Sequence, residues 1–358
     1  MRLKKLKLSK KGKLIFFSSL FIIIISAFGL YYLIFSPDFL TLFKLKQNND
    51  HQEIVENIED LEIIDDLTNY SSRWLDGKKV EASMADSFPV AIMIDNDPLA
   101  RPQAGLAQAL LVYEAPVEGR ITRYLAVYLA DMELDKVGPV RSARPYFVQL
   151  ASELKAAYLH VGGSPEAIEL IKKSEIYDLN EFYNEKYFWR DYNFPAPHHI
   201  FTNQENWLRY LNNRGLVERQ TDIWQFKEEF GSGIEQKDID IVFGPAFQVR
   251  WEYNLIDNDY LRILNDQKNI SEGTEIRAKN IIIQKVRSEV LDNVGRLKIE
   301  TSGEGEAIIC LDGSCRGAKW RKQGVNRTKF YDDDNDEIQF NPGITWVELA
   351  DDNTMINY

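Results

Sequence analysis

Cysteine and histidine are nearly absent from this chain. Two cysteines, Cys310 and Cys315, and four histidines, His51, His160, His198 and His199, occur in 358 residues. So few cysteines exclude a small disulfide-stapled scaffold, and neither sits in a catalytic pattern. Two cysteines with no histidine nearby also fall short of a zinc ligand set. No serine stands in a nucleophile-elbow pattern. Adjacent His198 and His199 point apart in either regular structure, so a metal centre would have to be assembled across the fold from His160, His198 and Asp191. The acid run DDDNDE at 332–337 lacks the glycine of a calcium loop and reads as a solvated hairpin turn. No metal and no cofactor is expected.

Charge is missing altogether from Leu14 to Phe35, 22 residues that follow a tail, 1–13, of seven basic residues and no acid. That length crosses a bilayer core as one helix, and the basic flank fixes the N-terminus in the cytoplasm, leaving the bulk of the chain extracytoplasmic. The competing reading is a secretory signal cut near Ser26, Ala27 and Gly29. The whole chain carries −12, and since its first 35 residues carry only positive charge, seven in all, the remainder carries −19. Such an acidic body is a poor partner for nucleic acid. Residues 36–85 are polar and acidic and read as a tether with a helical stretch around IVENIEDLEII.

The texture changes at Phe88. PVAIMID, LLVYEAPV and ITRYLAVYLA predict strands, the last two joined as a hairpin through Glu118, Gly119 and Arg120. SARPYFVQLASEL predicts a helix with Ser142 as its N-cap, AAYLHV a strand, and GGSPEAIELIKKS a helix capped by Ser164 with Pro165 at its first position. Alternating strands and helices make 86–230 an α/β domain with a mixed sheet. From 231 to 358 the segments are short, aromatic and β-branched, and predict an all-β domain, sandwich or barrel-like. Within it, CLDGSC places Asp312 and Gly313 at the centre of a tight turn, so that Cys310 faces Cys315 across the hairpin. Outside the cytoplasm such a pair is a disulfide.

Between Asp86 and Tyr146 stand five arginines, Arg101, Arg120, Arg123, Arg141 and Arg144, against one lysine. Arginine is favoured where a planar fork meets a carboxylate or phosphate with two parallel hydrogen bonds. Either these arginines hold the internal carboxylates Asp95, Glu114 and Glu118, or they hold an anionic ligand. Glu114 and Glu118, four apart, are expected on one face of a strand. Gly162, Gly163 and Ser164 add backbone amides at a helix N-terminus, a second anion seat.

The strings FPVAIMIDNDPLARPQAGLAQALLVYEAPVEGRITRYLAVY, VGPVRSARPYFVQLA, LHVGGSPEA, FWRD, APHHIFTN, WEYN, NIIIQ, GAKW and NPGITWVEL run in order from 88 to 350. They resemble the YerB-like family of exported bacterial proteins, a domain of unknown function. The resemblance implies a two-part extracytoplasmic fold of lipoproteins and no activity or cofactor. It brings Arg190 and Asp191, in FWRD, and His198 into the candidate site. His199 stands where the family's string has asparagine. No cysteine follows the apolar segment here, so lipid cannot be attached there and the helix must do the anchoring. The expected function is a non-enzymatic cell-envelope factor with a pocket built from Asp95, Arg101, Glu114, Glu118, Arg123, Arg141, Ser142 and Arg144. Its partner would be a cell-wall glycan, an anionic wall precursor or a wall-synthesis protein. The alternatives are a glycan hydrolase using Glu114, Glu118 and His198, or a structural scaffold.

Overall fold

A computed structural model describes residues 69–216, 222–229 and 236–358. The expected membrane helix, the basic tail and most of the tether lie outside the described residues. Among those described, no helix is long and apolar enough to cross a membrane.

Apolar runs bounded by turn residues become strands or helices much as their periodicity dictates. In chain order they are β1 (Pro89–Asp95), β2 (Leu111–Pro116), β3 (Thr122–Leu129), α1 (Pro145–Glu153), β4 (Ala157–His160), α2 (Pro165–Lys173), β5 (Tyr177–Asn180), α3 (Glu181–Asn184) and α4 (Gln204–Asn212). After α4 every named element is a strand: β6 (Ile239–Gly244), β7 (Phe247–Asn254), β8 (Asp259–Leu264), β9 (Asn280–Lys285), β10 (Gly303–Leu311), β11 (Ser314–Lys322), β12 (Lys329–Tyr331), β13 (Thr345–Ala350) and β14 (Met355–Asn357). Several shorter strand pairs accompany them. Ser164 caps α2 by accepting from the Ala167 amide at 3.2 Å, with Pro165 in the first turn. Ser142 does not cap α1: the helix begins three residues later, at Pro145, with Arg144 extended at its N-cap.

The main sheet runs in the order β12-β11-β10-β9-β13-β2-β3-β1-β4-β5. Strands from either side of residue 230 therefore pair directly, Leu111 opposite Thr345 and Val112 opposite Trp346. Instead of closing a separate sandwich, five C-terminal strands extend the N-terminal sheet. The physical reason is burial: all six residues of β13 are buried, which suits a strand covered on both faces and paired on both edges. β13, β2, β1, β4 and β5 run parallel to one another, and β3 runs against its neighbours β1 and β2.

Helices cover one face of this sheet. Ala91, Met93, Tyr113, Leu125 and Val127 pack there with Phe147, Val148 and Leu150 of α1 and Ile171 of α2. A second, antiparallel sheet covers the other, with β8 beside β7, β7 beside β6 and β6 beside β14. Ile92, Ile94, Val112, Tyr124 and Tyr128 pack there with Ile241, Val249, Trp251 and Tyr260, and with Trp207 of α4. Residues 70–85, assigned to the tether by composition, instead form a small hairpin that buries Trp74 and Leu75.

The CLDGSC turn forms as its spacing requires. Leu311 pairs with Ser314, Asp312 and Gly313 both take positive φ, and Cys310 is bonded to Cys315 with Cα atoms 4.1 Å apart.

Candidate functional site

Because β1, β2, β4 and β5 are parallel, their carboxyl ends gather along one edge of the sheet, where ligands of open α/β sheets usually bind. Asp95 is the last residue of β1 and stands opposite Arg123 of β3 in register. Its Oδ2 lies 2.6 Å from His198 Nδ1 and 2.6 Å from Arg141 Nε. Burial by itself would raise the Asp95 pKa; Arg141, then Arg123, and the hydrogen bond to His198 outweigh it and hold the group below the usual carboxylate range.

The neighbouring arginines differ in how they are satisfied. Arg144 forks Glu118, Nε to Oε1 and Nη2 to Oε2 both at 2.8 Å, so its bidentate capacity is spent inside the protein. That pair holds the Glu118 pKa down against the opposing effect of burial. Arg123, buried, donates from Nη1 to the Ser142 carbonyl at 2.8 Å and leaves Nε without a partner. Burial first, then repulsion from Arg144 and Arg141, pulls its pKa down to about 10 in spite of Asp95. Three guanidinium groups, those of Arg123, Arg141 and Arg144, face two carboxylates, Asp95 and Glu118. Arg141 is the least committed of them. Its side chain remains 23% exposed, and its Nε touches Asp95 as an ionic contact without the alignment of a hydrogen bond.

An open groove of about 470 Å³ runs beside this cluster, walled by Glu118, Ser142, Arg144, Gly163, Ser164 and Arg296. The glycine turn gives it less than its sequence promised. Gly162 donates its amide to Asn180 Oδ1 at 3.0 Å, and Ser164 donates to the Ala143 carbonyl at 3.3 Å, so two expected anion donors are already used. Gly162 is required for another reason: its φ is +58°, and a Cβ there would lie 2.7 Å from the Phe182 ring. A larger groove of about 730 Å³ lies at the Asp312 turn. Several of its charges are occupied, Lys227 by Asp312 at 2.7 Å and Asp332 by the amides of residues 334 and 336.

Other expected members lie elsewhere. Glu114 is on the opposite face of the main sheet from Asp95 and Arg123, where Oε2 meets Arg262 Nη2 at 2.5 Å and Oε1 accepts from Thr122 at 2.5 Å. Glu118 is not on the same strand, because β2 ends at Pro116 and the chain turns through Gly119 with φ +68°. The two glutamates therefore share no cleft. Arg101 donates to Asn96 Oδ1 and Asn96 O, and stacks over Phe247. Arg190 pairs with Glu181 at 2.8 Å and Asp191 with Lys136 at 2.8 Å. His160 meets Asp178 and the Gly162 carbonyl, away from Asp191.

Three residues escaped notice in the sequence. Arg262 and Glu348 are buried with Glu114: Glu348 stands opposite Glu114 in register, accepts from Trp251 Nε1 at 2.9 Å, and has its pKa pushed well above the usual range by burial and then by the Glu114 charge. A lone charge in each of the apolar runs YLRIL and TWVEL was the signal that could have found them, since such charges must be paired. Arg296, in a polar loop, carried no signal.

Two family descriptions match the chain: the protein of unknown function (DUF3048) N-terminal domain over residues 75–217, and the DUF3048 C-terminal domain over 239–347. The chain is 28% identical over 295 residues to a Bacillus subtilis (strain 168) protein named "Putative lipoprotein YerB", a match spanning 78% of this chain and 86% of that one. The crystal structure of YerB protein from Bacillus subtilis superposes with a TM-score of 0.72 at 26% identity, covering 80% of this chain and all of that one.

Proposed function

We propose that this chain, which belongs to the DUF3048 family, is a membrane-anchored envelope protein that binds an anionic ligand, without catalysing a reaction, at the carboxyl edge of its main sheet. The observation that carries the reading is Arg141, a partly exposed guanidinium held 2.6 Å from a buried carboxylate with no hydrogen bond of its own to the protein. The planar fork of such a guanidinium is suited to take a carboxylate or phosphate with two parallel hydrogen bonds. Surplus positive charge from Arg123 and Arg144 strengthens the field there, while Asp95 and His198 hold Arg141 in place. Anchoring rests on the uncharged run 14–35 behind its basic flank, and on a relative that is named a lipoprotein. The ligand classes that fit an envelope protein are a cell-wall glycan, an anionic wall precursor and an acidic patch on a wall-synthesis protein. Hydrolysis by Glu114 and Glu118 has no support, because Glu114 is sealed behind the sheet.

Thermal unfolding of the full chain in detergent micelles tests the reading, with phosphate, acetate and muropeptides as probes. A ligand that binds only the folded state raises the midpoint, by about 2.7 kcal/mol of stability at a hundredfold excess over Kd. Arg141→Ala is expected to abolish that rise while lowering its own midpoint by only about 2–4 °C, about 1–2 kcal/mol, because buried Asp95 keeps His198 and Arg123. A large loss of stability in the variant, with no probe raising the wild-type midpoint, sinks the proposal in favour of an internal ion network.

A further inference from the structure

We propose that the ligand is an acidic glycan, whose carboxylate is taken by Arg141 and whose sugar rings stack on Phe182 and Tyr192. This rests on the Arg141 reading and goes further by naming the substrate class. Large aromatic side chains are mostly buried in this fold, yet Phe182 is 66%, Tyr183 82% and Tyr192 83% exposed.

Chains of contacts link the first and last of these to the arginine. The Tyr192 ring stacks on His199, centroids 6.2 Å apart and 18° from parallel. The adjacent His198 holds Asp95, and Asp95 holds Arg141. On the other side the Arg141 carbonyl accepts from Val161 at 3.0 Å, and the Phe182 ring lies against Gly162. The Arg190–Glu181 ion pair, 2.8 Å long, ties the two aromatic segments together.

The chemistry between the rings selects the occupant. A lipid tail or an apolar helix needs one continuous groove. Here the groups that link the rings, His198, Asp95, Arg141 and Arg190, are all polar, and of these Arg141 and Arg190 reach the surface. A sugar suits such a surface, since each ring offers a flat C–H face to an aromatic and hydroxyls around its rim to polar groups. The carboxylate supplies the planar partner that the Arg141 fork lacks.

Isothermal titration of the full chain in detergent micelles tests this with four probes: a galacturonic acid tetramer, its uncharged methyl ester, acetate, and a hexaglutamate peptide. The expected result is binding of the tetramer, weakened about tenfold by loss of its charge and by each of Phe182→Ala and Tyr192→Ala. Both rings are exposed, so these variants should keep the wild-type unfolding midpoint. Ring variants that bind the tetramer as the wild type does overturn the glycan assignment, as does binding of the peptide alone. If acetate binds in an Arg141-dependent way and the tetramer does not, the glycan is refuted and the anion site stands. If no anion binds, both readings fail.

Discussion

Replacing Arg262 with methionine removes the only cation hydrogen-bonded to Glu114 among the described residues. Arg262 and Glu114 are both fully buried, 2.5 Å apart, and the guanidinium is enclosed by the rings of Tyr124, Trp251 and Trp346 at 5.6, 5.7 and 5.1 Å. Methionine refills much of the volume, so the cost is electrostatic: a carboxylate is stranded in a dry layer beside a second carboxyl, Glu348. Removing one partner of a buried pair costs about 3–5 kcal/mol. At about 2 °C per kcal/mol for a domain of this size, the midpoint should fall by about 6–10 °C. Calorimetry at pH 7 measures the drop. The double variant Arg262→Met, Glu114→Gln should recover at least about half of the loss, because the charge is then gone from both sides. A single variant that loses under about 1 kcal/mol, or a double variant no better than the single, refutes the argument that the layer is dry and the pair obligatory.

Glu348 has a folded pKa raised from its ordinary 4.5, so the stability it contributes is complete below that value and is lost as pH rises through the folded one. Glu348→Gln should thus gain on the wild type as pH rises above about 5 in urea midpoints; a constant difference would remove the buried proton from the account. Gly162→Ala should cost about 1–3 kcal/mol from its left-handed backbone and the displaced Phe182 ring, with part of it restored when Phe182→Ala is added. Cys310→Ala with Cys315→Ala should cost roughly 2 kcal/mol by the loop-closure relation. Hydrogen exchange should quicken at Lys227 and Asn341, whose side chains are held by Asp312 in the bridged turn; unchanged exchange there would show the turn to be stable without the bond.

Local features were legible because they depend on neighbours in sequence. PVAIMID, the hairpin after LLVYEAPV, the Ser164 cap and the CLDGSC turn are each fixed by a handful of adjacent residues. What could not be read was pairing over long distance. Nothing in TWVEL says that it inserts between residues 111–116 and 280–285, since a buried strand shows only that both faces are covered. The Glu118–Arg144 fork spans 26 residues and the Asp95–His198 contact 103, and the sequence offers Asp95, Glu114 and Glu118 as partners of the arginines without saying which meets which. Glu114 was misassigned for a different reason: a spacing of four keeps residues on one face only while the strand continues, and Pro116 ends it.

The central position of β13 bears on how the chain is made. Until residues 345–350 have been synthesised, β2 and β9 each present a bare edge of unpaired amides and carbonyls, both in apolar strands. The N-terminal strands can pair among themselves as they emerge, but the ten-stranded sheet closes only when a segment more than two hundred residues downstream of β2 arrives. The chain is thus exposed to aggregation until that strand docks, and cutting it away should leave two unfinished half-sheets in place of a trimmed protein.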